Sequence, residues 1–140
     1  MQLIEDFIEF YQALENKDIS GLRDVYADNI EFIDPITQHR GIEQLEQYFL
    51  SLLKNTISCK FAIHNVVHQD ESASINWTMT FQSRRIKDGK ALSVDGCSMI
   101  RIENDKITYH RDFFDIGQMV YEHVPLVGWA VKRIKTGMAS

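Results

Sequence analysis

The sequence predicts an α+β fold, with helices packed on one face of a curved, mostly antiparallel sheet. Three observations lead there. Apolar residues early in the chain recur at helical spacing, at Leu3, Ile4, Phe7, Ile8, Tyr11 and Leu14 and again at Ile42, Leu45, Phe49, Leu52 and Leu53. Four β-rich runs follow, near 58–69, 73–86, 90–103 and 106–115, parted only by Asp70-Glu71-Ser72, Lys87-Asp88-Gly89 and Glu103-Asn104-Asp105. Connections so short, with turn chemistry, join antiparallel neighbours. Helices first and a meander afterwards is the order of α+β proteins.

Taken in order, helix one runs over about 2–15, with Phe10 beside its apolar stripe. Asp18 caps a second helix whose inner face is Ile19, Leu22, Val25 and Tyr26. A strand follows at 30–34, and its alternation puts Ile30, Phe32 and Asp34 on one side. Asp34 therefore has two readings. It is a desolvated carboxylate with a raised pKa, able to act as a general base, or it only starts the Asp-Pro turn that follows. Thr37-Gln38-His39-Arg40-Gly41 reads as a polar loop before the third helix, with His39 at the surface.

In the second β-rich run Ile75, Trp77, Met79 and Phe81 alternate with Ser74, Asn76, Thr78 and Thr80. In the third, Leu92, Val94, Ser98, Ile100 and Ile102 share a face with Gly96, and a lone glycine in a long strand marks a sharp bend. The stretch 116–123 reads as a short helix, broken afterwards by Pro125 and Gly128. The apolar and basic tail at 127–135 is a flap over the core, an interface element or a weak membrane-surface contact.

At 140 residues the chain makes a single domain, 1–140, with one sizeable core. Net charge is -5 and the body has no aromatic-basic stripe, so nucleic acid is not an expected partner. Cys59 and Cys97 form neither a disulfide framework nor metal spacing. His64 and His68 share a strand face but have no third ligand nearby, so no metal is expected. The N-terminus shows no basic stretch or apolar signal core, and no apolar run approaches membrane-spanning length. A cytoplasmic protein is expected.

The order helix, helix, strand, helix and four long strands resembles the nuclear-transport-factor-2-like superfamily, which includes ketosteroid isomerases, SnoaL-like polyketide cyclases and limonene epoxide hydrolases. Two stretches carry the resemblance: Leu14, Asp18, Tyr26-Ala27-Asp28 and Asp34-Pro35, and the run from Asp105 through Arg111-Asp112-Phe113-Phe114-Asp115. It implies a cone, in which three helices from the N-terminal half and the curved sheet enclose a pocket, with a short C-terminal helix or flap. It also implies a homodimer through the outer sheet face.

Residue by residue, Asp34 matches the general base of the isomerases. Their helix-one tyrosine falls at Phe10 or Tyr11, and their protonated aspartate at Ser98. Arg111-Asp112-Phe113-Phe114-Asp115 resembles the hydrolases' Arg-Asp-Tyr-Phe-Asp, whose first aspartate helps activate water. SnoaL-like cyclases also place an acid-base aspartate on this strand. The strand at 75–81 lacks the Arg-x-Asp pair that the hydrolases need.

The resemblance thus implies a pocket for a small, mostly apolar molecule, with Phe32, Trp77 and Phe114 in its lining. The chemistry would be cofactor-free acid-base work of isomerase, cyclase or hydrolase type. Asp34 and Asp112 are then the bases, His110 their partner near neutral pH, and Tyr11 or Ser98 the hydrogen-bond donor; the residues alone leave open that this face of the last strand is the solvent or dimer side, with Tyr109, Arg111 and Phe113 inside. The alternative is a non-catalytic ligand-binding or dimerisation module. Asp115 reads as a cap for the following helix, and Cys97 as a small buried thiol.

Overall fold

Helix α1 (Gln2–Ala13) buries Leu3, Ile4, Phe7, Phe10 and Tyr11, so Phe10 belongs to the core-facing stripe itself. The computed structural model describes residues 1–83, 89–119 and 127–139. After α1 a short 3-10 turn (Leu14–Asn16) ends at Lys17, whose φ of 56° is left-handed. Asp18 does not cap a helix. Its Oδ1 accepts the Ser20 amide at 2.9 Å in a local turn, and α2 (Leu22–Val25) starts only after Gly21. α2 is one turn long, because Tyr26 is already extended and opens β1 (Tyr26–Ile33). Pairing of Tyr26 with Ile107 on a distant strand overrides the local helical pattern.

The expected polar loop is in part a strand. β2 (Gln38–Arg40) pairs antiparallel with β1, placing His39 opposite Phe32. Gly41 then takes a φ of 87° and its amide donates to the Ile30 carbonyl at 2.8 Å, which turns the chain into α3 (Ile42–Asn55). α3 buries Ile42, Leu45, Phe49 and Leu53.

β3 (Thr56–Gln69), β4 (Ser72–Ser83), β5 (Leu92–Glu103) and β6 (Lys106–Phe114) complete a curved six-stranded sheet of order β2-β1-β6-β5-β4-β3. Only the β1–β6 pairing is parallel. Residues paired across strands share a face. Ile75, Trp77 and Phe81 therefore look inward with Ser98, Val94 and Ile100, and with His110 and Asp112.

Irregularities in the ladder change the period-two reading. A register shift between Ile63 and Asn65 turns Val66 toward the core, opposite Ile75, and leaves Val67 61% exposed. It also separates the two histidines. His64 bonds Thr78 on the outer face, whereas His68 lies opposite the buried Ala73. A second shift beside Ile102 brings Ile107 inward, out of alternation with His110.

α4 (Ile116–Met119) begins the expected short helix, whose remainder falls outside the described residues, as does most of the expected Lys87-Asp88-Gly89 turn. The tail is itself a helix, α5 (Val127–Ala139). It exposes Val127, Trp129, Ile134 and Met138, buries only Gly128, and ties Lys135 to Asp115 at 2.6 Å. It is not a flap packed over the core. No helix among the described residues is long and apolar enough to cross a membrane.

Candidate functional site

Three elements meet at His110. β6 presents it inward with no exposed surface, α1 contributes Phe7 and Tyr11, and β1 contributes Tyr26 and Phe32, whose ring centroid is 4.4 Å from the imidazole. Apolar packing around a polar ring demands internal hydrogen bonds. They form a continuous chain. The Tyr11 and Tyr26 hydroxyls are 2.7 Å apart, the Tyr26 hydroxyl is 2.8 Å from His110 Nδ1, and His110 Nε2 is 2.6 Å from Asp112 Oδ1.

Counting donors assigns the protons. If His110 is neutral with its hydrogen on Nε2, Tyr11 donates to Tyr26, Tyr26 donates to Nδ1, and Nε2 donates to the carboxylate. Every donor is used. If both ring nitrogens carried hydrogen, the phenol chain would reverse and leave the buried Tyr11 hydroxyl with no acceptor. The single-direction chain is therefore the stable one. Burial first, then mutual contact and the nearby Asp112 charge, pushes the Tyr11 phenol well above its ordinary range. Burial likewise raises Tyr26. Both stay protonated and act as donors.

Asp112 has a second support. Trp77 Nε1 donates to Ser98 Oγ at 2.9 Å, and Ser98 Oγ donates to Asp112 Oδ1 at 2.5 Å. Both protein bonds fall on Oδ1. Oδ2 has no hydrogen-bond partner among the described residues, and the side chain keeps 14% of its surface. Tyr11 and Ser98 thus spend their protons inside the protein. Phe114 lies near the same wall, its ring 6.3 Å from that of Trp77.

Asp34 sits just past β1, 9% exposed. Its Oδ1 accepts the Ile36 and Thr37 amides at 2.8 Å each, so it does close the Asp-Pro turn. Its Oδ2 accepts the Tyr48 hydroxyl at 3.2 Å. The Tyr48 phenol is pushed far above its usual range, first by burial and then by the charges of both Asp34 and Asp112. Tyr48 is thus within electrostatic reach of both carboxylates. A cleft of about 260 Å³ opens beside it, lined mainly by Tyr48, Leu52, Cys59, Met79 and Phe81. Burial pushes the Cys59 thiol up to about 11, which leaves it un-ionised and unreactive at neutral pH.

Tyr26, Tyr48 and His39 carry roles the sequence analysis did not assign them. Tyr48 had a signal, since Leu45, Tyr48 and Leu52 are spaced i, i+3, i+7 on α3. Tyr26 read as helix packing and His39 as surface. His39 instead stacks on Tyr48 at 4.5 Å between centroids. A groove of about 400 Å³, lined by Val67, Met99, Arg101, Tyr109, Arg111 and Phe113 among others, lies on the opposite face of the sheet from these groups. Among the described residues no cluster of three or more His, Cys, Asp or Glu side chains is placed to hold a metal ion.

A family model described as a SnoaL-like domain matches residues 7–110. No curated protein matches the chain. Solved structures match across most of it. TerC, co-crystallised with polyporic acid, is 17% identical over 83% of this chain and 93% of its own, with a TM-score of 0.72. A SnoaL-like polyketide cyclase from Jannaschia sp. CCS1 is 14% identical over 82% and 86%, with a TM-score of 0.70. An LEH-like epoxide hydrolase from M. tuberculosis is 17% identical over 84% and 86%, with a TM-score of 0.71. At these identities the likeness is one of fold.

Proposed function

This chain belongs to the SnoaL-like domain family, and from that premise we propose a pocket protein that binds a small, mostly apolar molecule and performs cofactor-free acid-base chemistry on it. The observation that carries this reading is the buried chain Tyr11–Tyr26–His110 ending on the partly open carboxylate of Asp112. Three protonated donors in series serve no packing purpose that three apolar side chains would not serve better. They hold one carboxylate, by one oxygen, with the other oxygen left for a proton.

Asp112 Oδ2 is the proposed base. It takes a proton from carbon beside a carbonyl, or from a water, and becomes a carboxylic acid able to return it. His110 and Ser98 keep the carboxylate oriented. Asp34 is the second carboxylate of the site, and Phe32, Trp77 and Phe114 supply apolar lining. The co-crystallisation of TerC with polyporic acid supports an organic ligand. We also propose a homodimer through the outer sheet face, where Val67, Met99 and Phe113 are exposed.

The test is a generic base probe. With 5-nitrobenzisoxazole, removal of the C3 proton by a base breaks the ring N–O bond and releases a cyanophenolate. The protein should accelerate this reaction, and Asp112→Asn should lose about 100-fold of that acceleration. Equal rates for the two proteins would remove the base role. One observation favours a second reading, a non-catalytic ligand-binding module: Asp34 Oδ1 is fully engaged by two turn amides. That reading predicts ligand binding unchanged in Asp34→Asn and Asp112→Asn, with no acceleration in any of the three proteins.

A further inference from the structure

His39 Nε2 is the one buried side-chain polar atom without a hydrogen-bond partner among the described residues. A sealed, unpaired nitrogen costs free energy, so its presence calls for a cause. Its setting supplies one. The strand pairing puts His39 opposite the inward Phe32, and its ring stacks on Tyr48, which bonds Asp34. The hydroxyl protons around it are already spent, so a ligand hydroxyl reaching this place must give its own proton and needs an acceptor. Tyr11 donates to Tyr26, Ser98 to Asp112 and Tyr48 to Asp34, so each of these hydroxyl protons is already committed.

We propose that His39 is a ligand-binding residue of this pocket, and that Nε2 pairs with a hydroxyl carried by an aromatic ligand. Tyr48, which lines both the cleft described above and the groove beside His39, would hold the ligand's ring, and the imidazole accepts its O–H. This rests on the pocket reading above and adds the ligand class: a hydroxylated aromatic rather than a plain hydrocarbon. Neutral imidazole suits the task, because its free nitrogen accepts a hydrogen bond from a phenol without moving a full charge into the aromatic cluster.

The experiment uses the full chain labelled with 15N at histidine, and two probes that differ by one hydroxyl, 2-naphthol and naphthalene. Both should bind. 2-Naphthol should bind about fivefold tighter, the worth of one net hydrogen bond, and it alone should shift the His39 Nε2 resonance. In His39→Phe the preference should fall to parity while naphthalene still binds. If neither probe binds, the pocket reading itself fails. If both bind but Nε2 does not move, or His39→Phe keeps the full preference, the pocket stands and His39 has no part in it. A ligand-free Nε2 already hydrogen-bonded to a water that 2-naphthol does not displace would equally overturn the assignment. The resonance shift is read on the unmutated protein, so it decides the matter even if His39→Phe folds poorly.

Discussion

Tyr26 uses one oxygen twice, accepting from Tyr11 and donating to His110. Removing that oxygen and removing Tyr11's are therefore different injuries. Tyr26→Phe leaves the Tyr11 hydroxyl and His110 Nδ1 both buried and unpaired. Tyr11→Phe leaves every remaining donor with its acceptor. At about 1–3 kcal/mol per stranded group, Tyr26→Phe should cost roughly 2–6 kcal/mol and Tyr11→Phe roughly 1 or less. Urea unfolding of the two variants checks the order, and equal losses would mean the bonds do not run as a chain. Asp34 allows a similar contrast. Asp34→Asn keeps an oxygen for the Ile36 and Thr37 amides but turns an amino group toward the Tyr48 hydroxyl, so it should cost about 1 kcal/mol in thermal melts. Asp34→Ala abandons both amides and should cost about 1–3 kcal/mol.

At the scale of elements, the pairing of β4 with β5 explains Gly96. It lies directly opposite Trp77, and a Cβ built on it would come within 2.3 Å of the indole. The glycine is required by close approach. The indole lies over its backbone, which lets Nε1 reach Ser98 on β5 and so support the carboxylate on β6, two strands away from β4. Trp77 is 5% exposed and has little room to retreat. Gly96→Ala should cost about 1–3 kcal/mol and shift Trp77 emission when read in a Trp129→Phe background. An unchanged spectrum with unchanged stability would mean the indole moves freely.

For the whole molecule, buried acids that stay protonated set the alkaline limit. Cys59 rises from an ordinary 9.0 to about 11, because burial penalises the thiolate. Its folded-state pKa lies above the unfolded one, so the folded protein holds a proton that the unfolded chain gives up. The contribution is intact below about pH 9 and is lost as pH rises toward 11. Over that window it amounts to about 2–3 kcal/mol. The raised phenols of Tyr11, Tyr26 and Tyr48 act in the same direction at higher pH. Chemical denaturation at pH 8 and pH 10.5 should show the fall, and Cys59→Ala should flatten its first part. A slope unaffected by that substitution would remove Cys59 from the account. Assembly belongs to this scale too. Sedimentation at micromolar concentration should give about twice the 16.3 kDa chain mass, and Phe113→Glu should return it to the monomer value.

Much was legible in the chain alone. The stripes of α1 and α3 and the alternation Ile75-Trp77-Met79-Phe81 were readable because each element must turn apolar side chains to one side, whatever it packs against. Tyr11, Phe32, Trp77, Ser98, His110 and Asp112 could be named from periodicity and resemblance. Their connection could not. Tyr11, Tyr26 and His110 come from α1, β1 and β6, and the distances among them depend on the parallel β1–β6 register. The shift beside Asn65 sent His64 and His68 to opposite faces and turned Val66 inward, since one inserted residue reverses a period of two. Tyr26 left its helix for a strand because long-range pairing with β6 outweighed local preference, and His39 left its loop because it pairs across a hairpin with Phe32. Sequence alone determined which side chains seek the interior. Only the tertiary structure decided which of those meet, because a hydrogen bond is a matter of tenths of an ångström between elements that sequence spacing does not relate.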